Sequence, residues 1–147
     1  MSWSDLFVKY IGNRGNQWNV KVSVVKSPTY RSESGIEMEG GKWVDIRSTW
    51  NGHETRAGVR LTCMEFECMI KHLKEDCEWS FTDDAKTISV KKIKDEADFK
   101  DKNEYRWRFR TSKIDKDGDV IKRKLLVRAD EVALLISLFD EIVSYFN

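Results

Sequence analysis

Residues 61–73, LTCMEFECMIKHL, carry the chain from a strand into a helix. Thr62 followed three positions later by Glu65 has the form of a capping box, in which the Thr side chain takes one free amide and the Glu side chain reaches back to another. Phe66, Met69, Ile70, Leu73 and Cys77 then recur at helical spacing, giving one apolar stripe. Residues 127–139, VRADEVALLISLF, make the same passage later in the chain. Val127, Val132 and Phe139 each stand 66 residues after Leu61, Phe66 and Leu73. A strand-to-helix junction that recurs at fixed spacing argues for two copies of one supersecondary unit.

Upstream of the first junction, QWNVKVSVVK reads as a strand. Trp18, Val20, Val22 and Val24 alternate there with Asn19, Lys21 and Ser23. RSESGIEME is a weaker alternating run. KWVDIRSTW is a clear strand, with Trp43, or Val44 and Ile46, as its inward groups. NGHET is a turn and AGVRL a short strand. The first dozen residues, MSWSDLFVKYIG, show neither period and suit a short helix or an arm. The order is four strands and a helix. The second half reads in the same order, with strands at CEWSFTD, TISVKKIK, EYRWRFRTSK and VIKRKLLV before the helix ADEVALLISLFDEIVSYF. That last helix carries the stripe of the first and also Leu134, Leu138 and Tyr145 on a neighbouring face. Two apolar sides call for cover on two sides, by its own sheet and by the first helix. The expected fold is α+β, with two tandem β-β-β-β-α repeats over residues 1–76 and 77–147. They would form one pseudo-two-fold intramolecular dimer, helices packed together and curved antiparallel sheets outside.

Composition bounds the function. In 147 residues, charged side chains make up 35 % but nearly cancel at +1, which argues against a highly basic tail. Six Trp, seven Phe and one Pro are not the composition of a disordered chain. Cys63, Cys68 and Cys77 form no C-x-x-C pair and read as reduced thiols. No early apolar run resembles a signal peptide, and no apolar stretch is long enough to span a bilayer. Phosphate-loop and dinucleotide fingerprints are absent from the sequence. His53 and His72 lack metal-ligand spacing. DKDGD fails as a calcium loop, since its glycine comes too early and Leu126 stands where the bidentate Glu belongs. The expectation is a chain without metal, cofactor or enzymatic activity.

The charges are unevenly placed. In YRWRFR, residues 105–110, Trp107 and Phe109 fall on one face of a strand and Arg106, Arg108 and Arg110 on the other. From Tyr105 to Arg128 there are nine Lys or Arg against three acids, and the acids sit together in one turn. Single strands of nucleic acid need a cationic track and flat groups for their bases. Arginine serves both needs. The alternative is a solvated strand face with Trp50 in the core or at its rim. Trp18, Trp43, Trp79 and Trp107 are expected in the core. Lys91, Lys92 and Lys94 either extend the track or guard an edge.

WVDIRSTW, RAGVRLT and EFECMIKHL together resemble the transcriptional positive cofactor four family of single-stranded DNA-binding coactivators. The family pattern is a strand of the form I-D-I-R-x-x-W, then a turn and basic residues before Gly-Ile-x-Leu, then a helix with an aromatic in its first turn. Here these are Val44 to Trp50, Arg56 to Leu61, and Phe66, Met69 and Leu73, about a quarter of the chain. In the second half DKDGDVIKRK matches the acidic turn and basic run, and Arg110 the strand arginine. The family's tryptophan and glycine positions there hold Lys113 and Lys124. Its basic turn before the DIR strand reads Glu39-Gly40-Gly41-Lys42. Whirly and PUR-repeat proteins share the fold plan. The resemblance implies a largely sequence-nonspecific single-stranded DNA or RNA binder of the coactivator type. Transcription or replication proteins would be its further partners, and it would act in the nucleus or in the cytoplasm of a prokaryotic or virus-infected cell. The phosphate and base contacts would fall to Lys42, Arg47, Trp50, Arg56, Arg60, Arg106, Arg108, Arg110, Lys113, Lys122, Arg123 and Lys124. The alternative is a protein-interaction module of the transcription machinery that kept the fold without the nucleic-acid site.

Overall fold

The computed structural model describes residues 3–13, 18–83, 86–93, 107–115 and 117–147. The chain is α+β and mostly antiparallel sheet. Strands β1 (Ser4–Asn13), β2 (Trp18–Lys26), β5 (Lys42–Trp50) and β6 (His53–Leu61) form one four-stranded sheet in that order. Strands β7 (Trp79–Thr82), β8 (Lys86–Lys92), β9 (Trp107–Ile114) and β10 (Val120–Val127) form a second, its order also following the chain. Between β2 and β5 lies a small separate hairpin, β3 (Tyr30–Arg31) with β4 (Glu37–Met38). Helix α1 (Cys63–Lys74) follows the first sheet. Helices α2 (Ala129–Ser137) and α3 (Phe139–Ser144) follow the second.

Local chemistry explains most of these elements. Val20, Val22 and Val24 of β2 face Ser48, Ile46 and Val44 of β5 in register, and all six are buried. Val44 and Ile46, not Trp43, are the inward groups of β5. Asn51 and Gly52 join β5 to β6 with φ of +52° and +81°, the left-handed pair that a two-residue hairpin turn requires. The capping box at Thr62 is present: Glu65 N–H donates to Thr62 Oγ1 (3.2 Å) and Thr62 N–H to Glu65 Oε1 (2.8 Å). Phe66, Met69, Ile70 and Leu73 are buried as their spacing requires. Cys77 lies beyond the helix end and is exposed, because Asp76 turns into the left-handed region at φ +58°.

Three expectations need correction. The first dozen residues are neither helix nor arm: β1 is the edge strand of the first sheet. Irregularities in its pairing with β2, between Asp5 and Phe7 and between Tyr10 and Gly12, each shift the alternation by one residue. That erases the period of two from the sequence. RSESGIEME contributes no strand to either sheet. Its residues are almost all exposed and bury nothing. The long final helix is broken at Leu138 (φ −89°, ψ 0°). Ser137 Oγ donates to the Leu134 carbonyl at 2.6 Å, and such back-bonding competes with the helical ladder.

One core joins everything. Inward residues of both sheets pack with Phe66, Met69, Val132, Leu135 and Ile142. The helices meet where Phe66 stacks on Phe139, centroids 5.9 Å apart. Leu138 and Tyr145 pack against this core, while Leu134 is exposed. Strand β6 of the first sheet lies against β9 and β10 of the second. That contact creates the site.

Candidate nucleic-acid interface

Register decides which side chains reach the junction of the sheets. Paired residues in an antiparallel ladder share a face. On β9, Trp107 and Phe109 are buried, so Thr111 and Lys113 continue the same inward face past the end of the core. Lys113 pairs with Lys86 on one side and Ile121 on the other, and Thr111 with Ile88 and Arg123. From the first sheet β5 brings Arg47, and β6 brings Arg56 and Arg60. Together these surround a cleft of about 520 Å³. Its wall thus holds six cations, Arg47, Arg56 and Arg60 from one sheet and Lys86, Lys113 and Arg123 from the other, with Trp3 and Trp43 beside them.

Two buried carboxylates organise half of that charge. Asp45 is only 1 % exposed. It accepts from Arg47 Nε (3.0 Å) and Nη2 (2.8 Å) and from Arg60 Nε (3.3 Å). Arg47 also donates to the Thr55 carbonyl. The hydrogen bonds to Asp45 raise the Arg47 pKa above its ordinary value, against the opposing effect of burial. Lys86 donates to Glu65 Oε1 at 3.0 Å. Arg60 also lies over the Trp3 ring, 4.4 Å from its centroid, a cation–π contact. Arg56 and Lys113 make no ion pair among the described residues.

A second depression, about 620 Å³, lies on the far face of the second sheet. Ser89, Arg110 and Lys124 form one cross-strand row, and Thr87, Ser112 and Lys122 the next. Hydroxyls and cations of this kind are groups that hold phosphate oxygens. Thr111 and Arg123 line both depressions, so the two adjoin around β10.

The expected site residues therefore divide. Arg47, Arg56, Arg60, Lys113 and Arg123 come together in the cleft. Arg110, Lys122 and Lys124 sit on the adjoining face. Arg108 is half-buried on β9, and its Nε has no hydrogen-bond partner among the described residues. Lys42 is drawn elsewhere: its Nζ donates to the Tyr145 carbonyl at the end of α3, 3.0 Å away. Arg106 lies outside the described residues. Trp50 is three positions from Arg47 and so on the opposite face of β5. It is 39 % exposed and packs on Trp18, itself 46 % exposed, with centroids 4.7 Å apart. Trp18 is thus not a core residue, whereas Trp79 and Trp107 are buried as expected. Sequence reasoning missed Lys86, Trp3 and the lining role of Trp43. The alternation of TISVKK held the signal for Lys86, since it shares a face with Ile88 and Val90.

No family model matches the chain, and no curated protein matches it by sequence. Solved structures do match in fold. The plant transcriptional regulator PBF-2 superposes with a TM-score of 0.51 at 17 % identity, covering 99 % of this chain and 82 % of that one. WHY1 from Arabidopsis thaliana gives 0.50 at 12 %, covering 99 % and 91 %. The trypanosome MRP1/MRP2 structure gives 0.50 at 8 %, covering 95 % and 84 %. The chain has this Whirly-like fold.

Proposed function

We propose that this protein binds single-stranded nucleic acid without strong sequence preference, as a non-enzymatic factor of the transcription coactivator type. The observation that carries the proposal is the convergence of six cations from two sheets on one cleft flanked by Trp3 and Trp43. The likeness in fold to a plant transcriptional regulator supports it. Arg56, Lys113, Arg123, Arg110 and Lys122 would carry the phosphate contacts. Arg47 and Arg60 would frame the cleft, and exposed Trp50 with Trp18 would stack bases at the end of the first sheet. The 66-residue spacing, with two four-stranded sheets each followed by a helix, supports a tandem duplication with halves at 1–76 and 77–147. In that reading the halves form a pseudo-dimer within one chain.

Fluorescence anisotropy with single- and double-stranded oligonucleotides across ionic strength tests this. Five phosphate contacts on a single strand give a log–log salt slope of about −3.5. The double change K113E/R123E should lower affinity more than tenfold. Undetectable single-strand binding at low salt would defeat the proposal. It would favour the second reading, a protein-interaction module, whose specific support is that Asp45 and Glu65 already engage three of the six cleft cations.

A further inference from the structure

Within the cleft, the cations fall into two groups with different duties. Arg47, Arg60 and Lys86 are fixed by buried carboxylates, whereas Arg56 and Lys113 point their charge at the cleft without an ion-pair partner among the described residues. Arg123 Nη1 donates to the neighbouring Lys122 carbonyl at 3.0 Å. The aromatic groups sit with the fixed set. Trp3 is held by Arg60, and Trp43, two positions before Asp45 on the same face of β5, lines the same wall. Trp43 also has a buried indole N–H with no acceptor among the described residues. At about 520 Å³ the cleft lies inside the ~300–1,000 Å³ range of small-molecule sites.

We infer that the cleft is a pocket for one nucleotide unit, an aromatic base set against Trp3 and Trp43 and its phosphate held by Arg56, Lys113 and Arg123. This rests on the nucleic-acid reading but goes beyond it: a cationic track alone needs no aromatic corner. A pocket for one unit admits a base only when it is unpaired, which gives a physical reason for preferring single strands over duplex. The same chemistry is offered by a nucleotide within a strand and by a free nucleoside monophosphate. Trp50 and Trp18, on the opposite face of the first sheet, are not part of this pocket.

The test follows the Trp43 indole N–H resonance by NMR, in the full chain, during titration with four probes. They are a nucleoside monophosphate, a single-stranded oligonucleotide, the unphosphorylated nucleoside and inorganic phosphate. The Trp43 resonance should move with either nucleotide probe and much less with the nucleoside or phosphate alone. W43A, which removes the ring from the cleft wall, should weaken oligonucleotide binding about tenfold. W3A should do the same without loss of thermal stability. Movement with the oligonucleotide only assigns the pocket to a strand-borne unit. Movement with both makes free nucleotide a competitor. If the oligonucleotide binds while the Trp43 resonance stays still and both variants bind normally, the pocket is refuted and the general reading survives. If no oligonucleotide binds at all, both fall.

Discussion

Asp45→Asn separates the structural duty of the cleft from the binding duty proposed for it. Asp45 is almost wholly enclosed and accepts a two-point contact from Arg47, whose side chain is 17 % exposed. Removing one partner of such a pair leaves a poorly compensated guanidinium, a loss of ~2–3 kcal/mol once the remaining solvent access is allowed for. The Arg60 contact is longer and its side chain is 42 % exposed, so screening holds its share to ~0–1 kcal/mol. The sum is about 2–4 kcal/mol, read by urea denaturation at neutral pH. For a chain of this size it lowers the melting temperature by roughly 5–12 °C. The same change removes a negative charge from beneath the cleft. Oligonucleotide affinity at low ionic strength should then rise about two- to fivefold, the effect fading with salt. A stability loss below about 0.5 kcal/mol would refute the claim that Asp45 organises the cleft. Weaker binding by a folded variant would refute the claim that its charge merely offsets that of the arginines.

Four further outcomes follow from other contacts. Gly12→Ala places a methyl carbon 1.7 Å from Glu131 Oε2, whose residue is fully buried, so it should destabilise by about 2–4 kcal/mol in calorimetry; a near-neutral result would remove Gly12 from that contact. Burial pulls the Lys21 pKa down, but the hydrogen bond and charge of Glu54, with smaller contributions from Asp5 and Tyr10, leave it above 10.5. A raised folded pKa means that the Lys21–Glu54 pair stabilises fully below about pH 10.5 and is lost as pH climbs through the folded value. The deficit of K21M against the parent should therefore hold from neutral pH to about 10 and shrink above it in chemical denaturation. Burial first, then the charge and hydrogen bond of Glu67, raise the Cys63 thiol above 9.0, so mass spectrometry should find Cys68 and Cys77 alkylated before Cys63, and the reverse order would contradict this environment. Fragments 1–76 and 77–147 should each stay unfolded by circular dichroism and regain structure when mixed; two fragments that fold alone as soluble monomers would undo the single shared core.

How legible each part was depended on how its side chains alternate. β2, β5, β9 and β10 announce themselves because one face is buried and the other wet, so apolar and polar residues trade places at each step. α1 was equally clear, since Thr62, Glu65 and the Phe66 stripe agree. β1 was hidden because two irregular pairings interrupt its alternation. Its exposed Leu6, Val8 and Tyr10 further blur the pattern. In the site, Arg47, Arg56, Arg60, Lys113 and Arg123 were visible as cations on strands. Their sorting was not, because it depends on which face of one sheet meets which face of the other. Lys42 shows the limit plainly. Its partner, the Tyr145 carbonyl, is 103 residues away and belongs to a helix end that no local pattern connects to it. Trp18 failed differently. It shares the inward parity of Val20 but stands at the first position of its strand, beyond the reach of the core.

The two capping carboxylates give the deepest link between fold and site. Glu65 and Glu131 stand 66 residues apart, each three positions into the sequence from its cap. Each accepts its own cap's backbone N–H, at 2.8 Å from Thr62 and 2.9 Å from Arg128. Both then reach across to the other sheet: Glu65 holds Lys86 of β8, and Glu131 fills the space that Gly12 of β1 leaves without a side chain. Each helix is therefore started by its own half and seated by the opposite one. The consequence for the cleft is direct. Lys86 is at once a seat for α1 and a wall of the cleft, so an agent that reorients the sheets must disturb a helix cap. The energetic tie that makes one core of two sheets also keeps Lys113 and Arg123 facing Arg56, and a rigid cleft of this kind loses little entropy when an anion enters it.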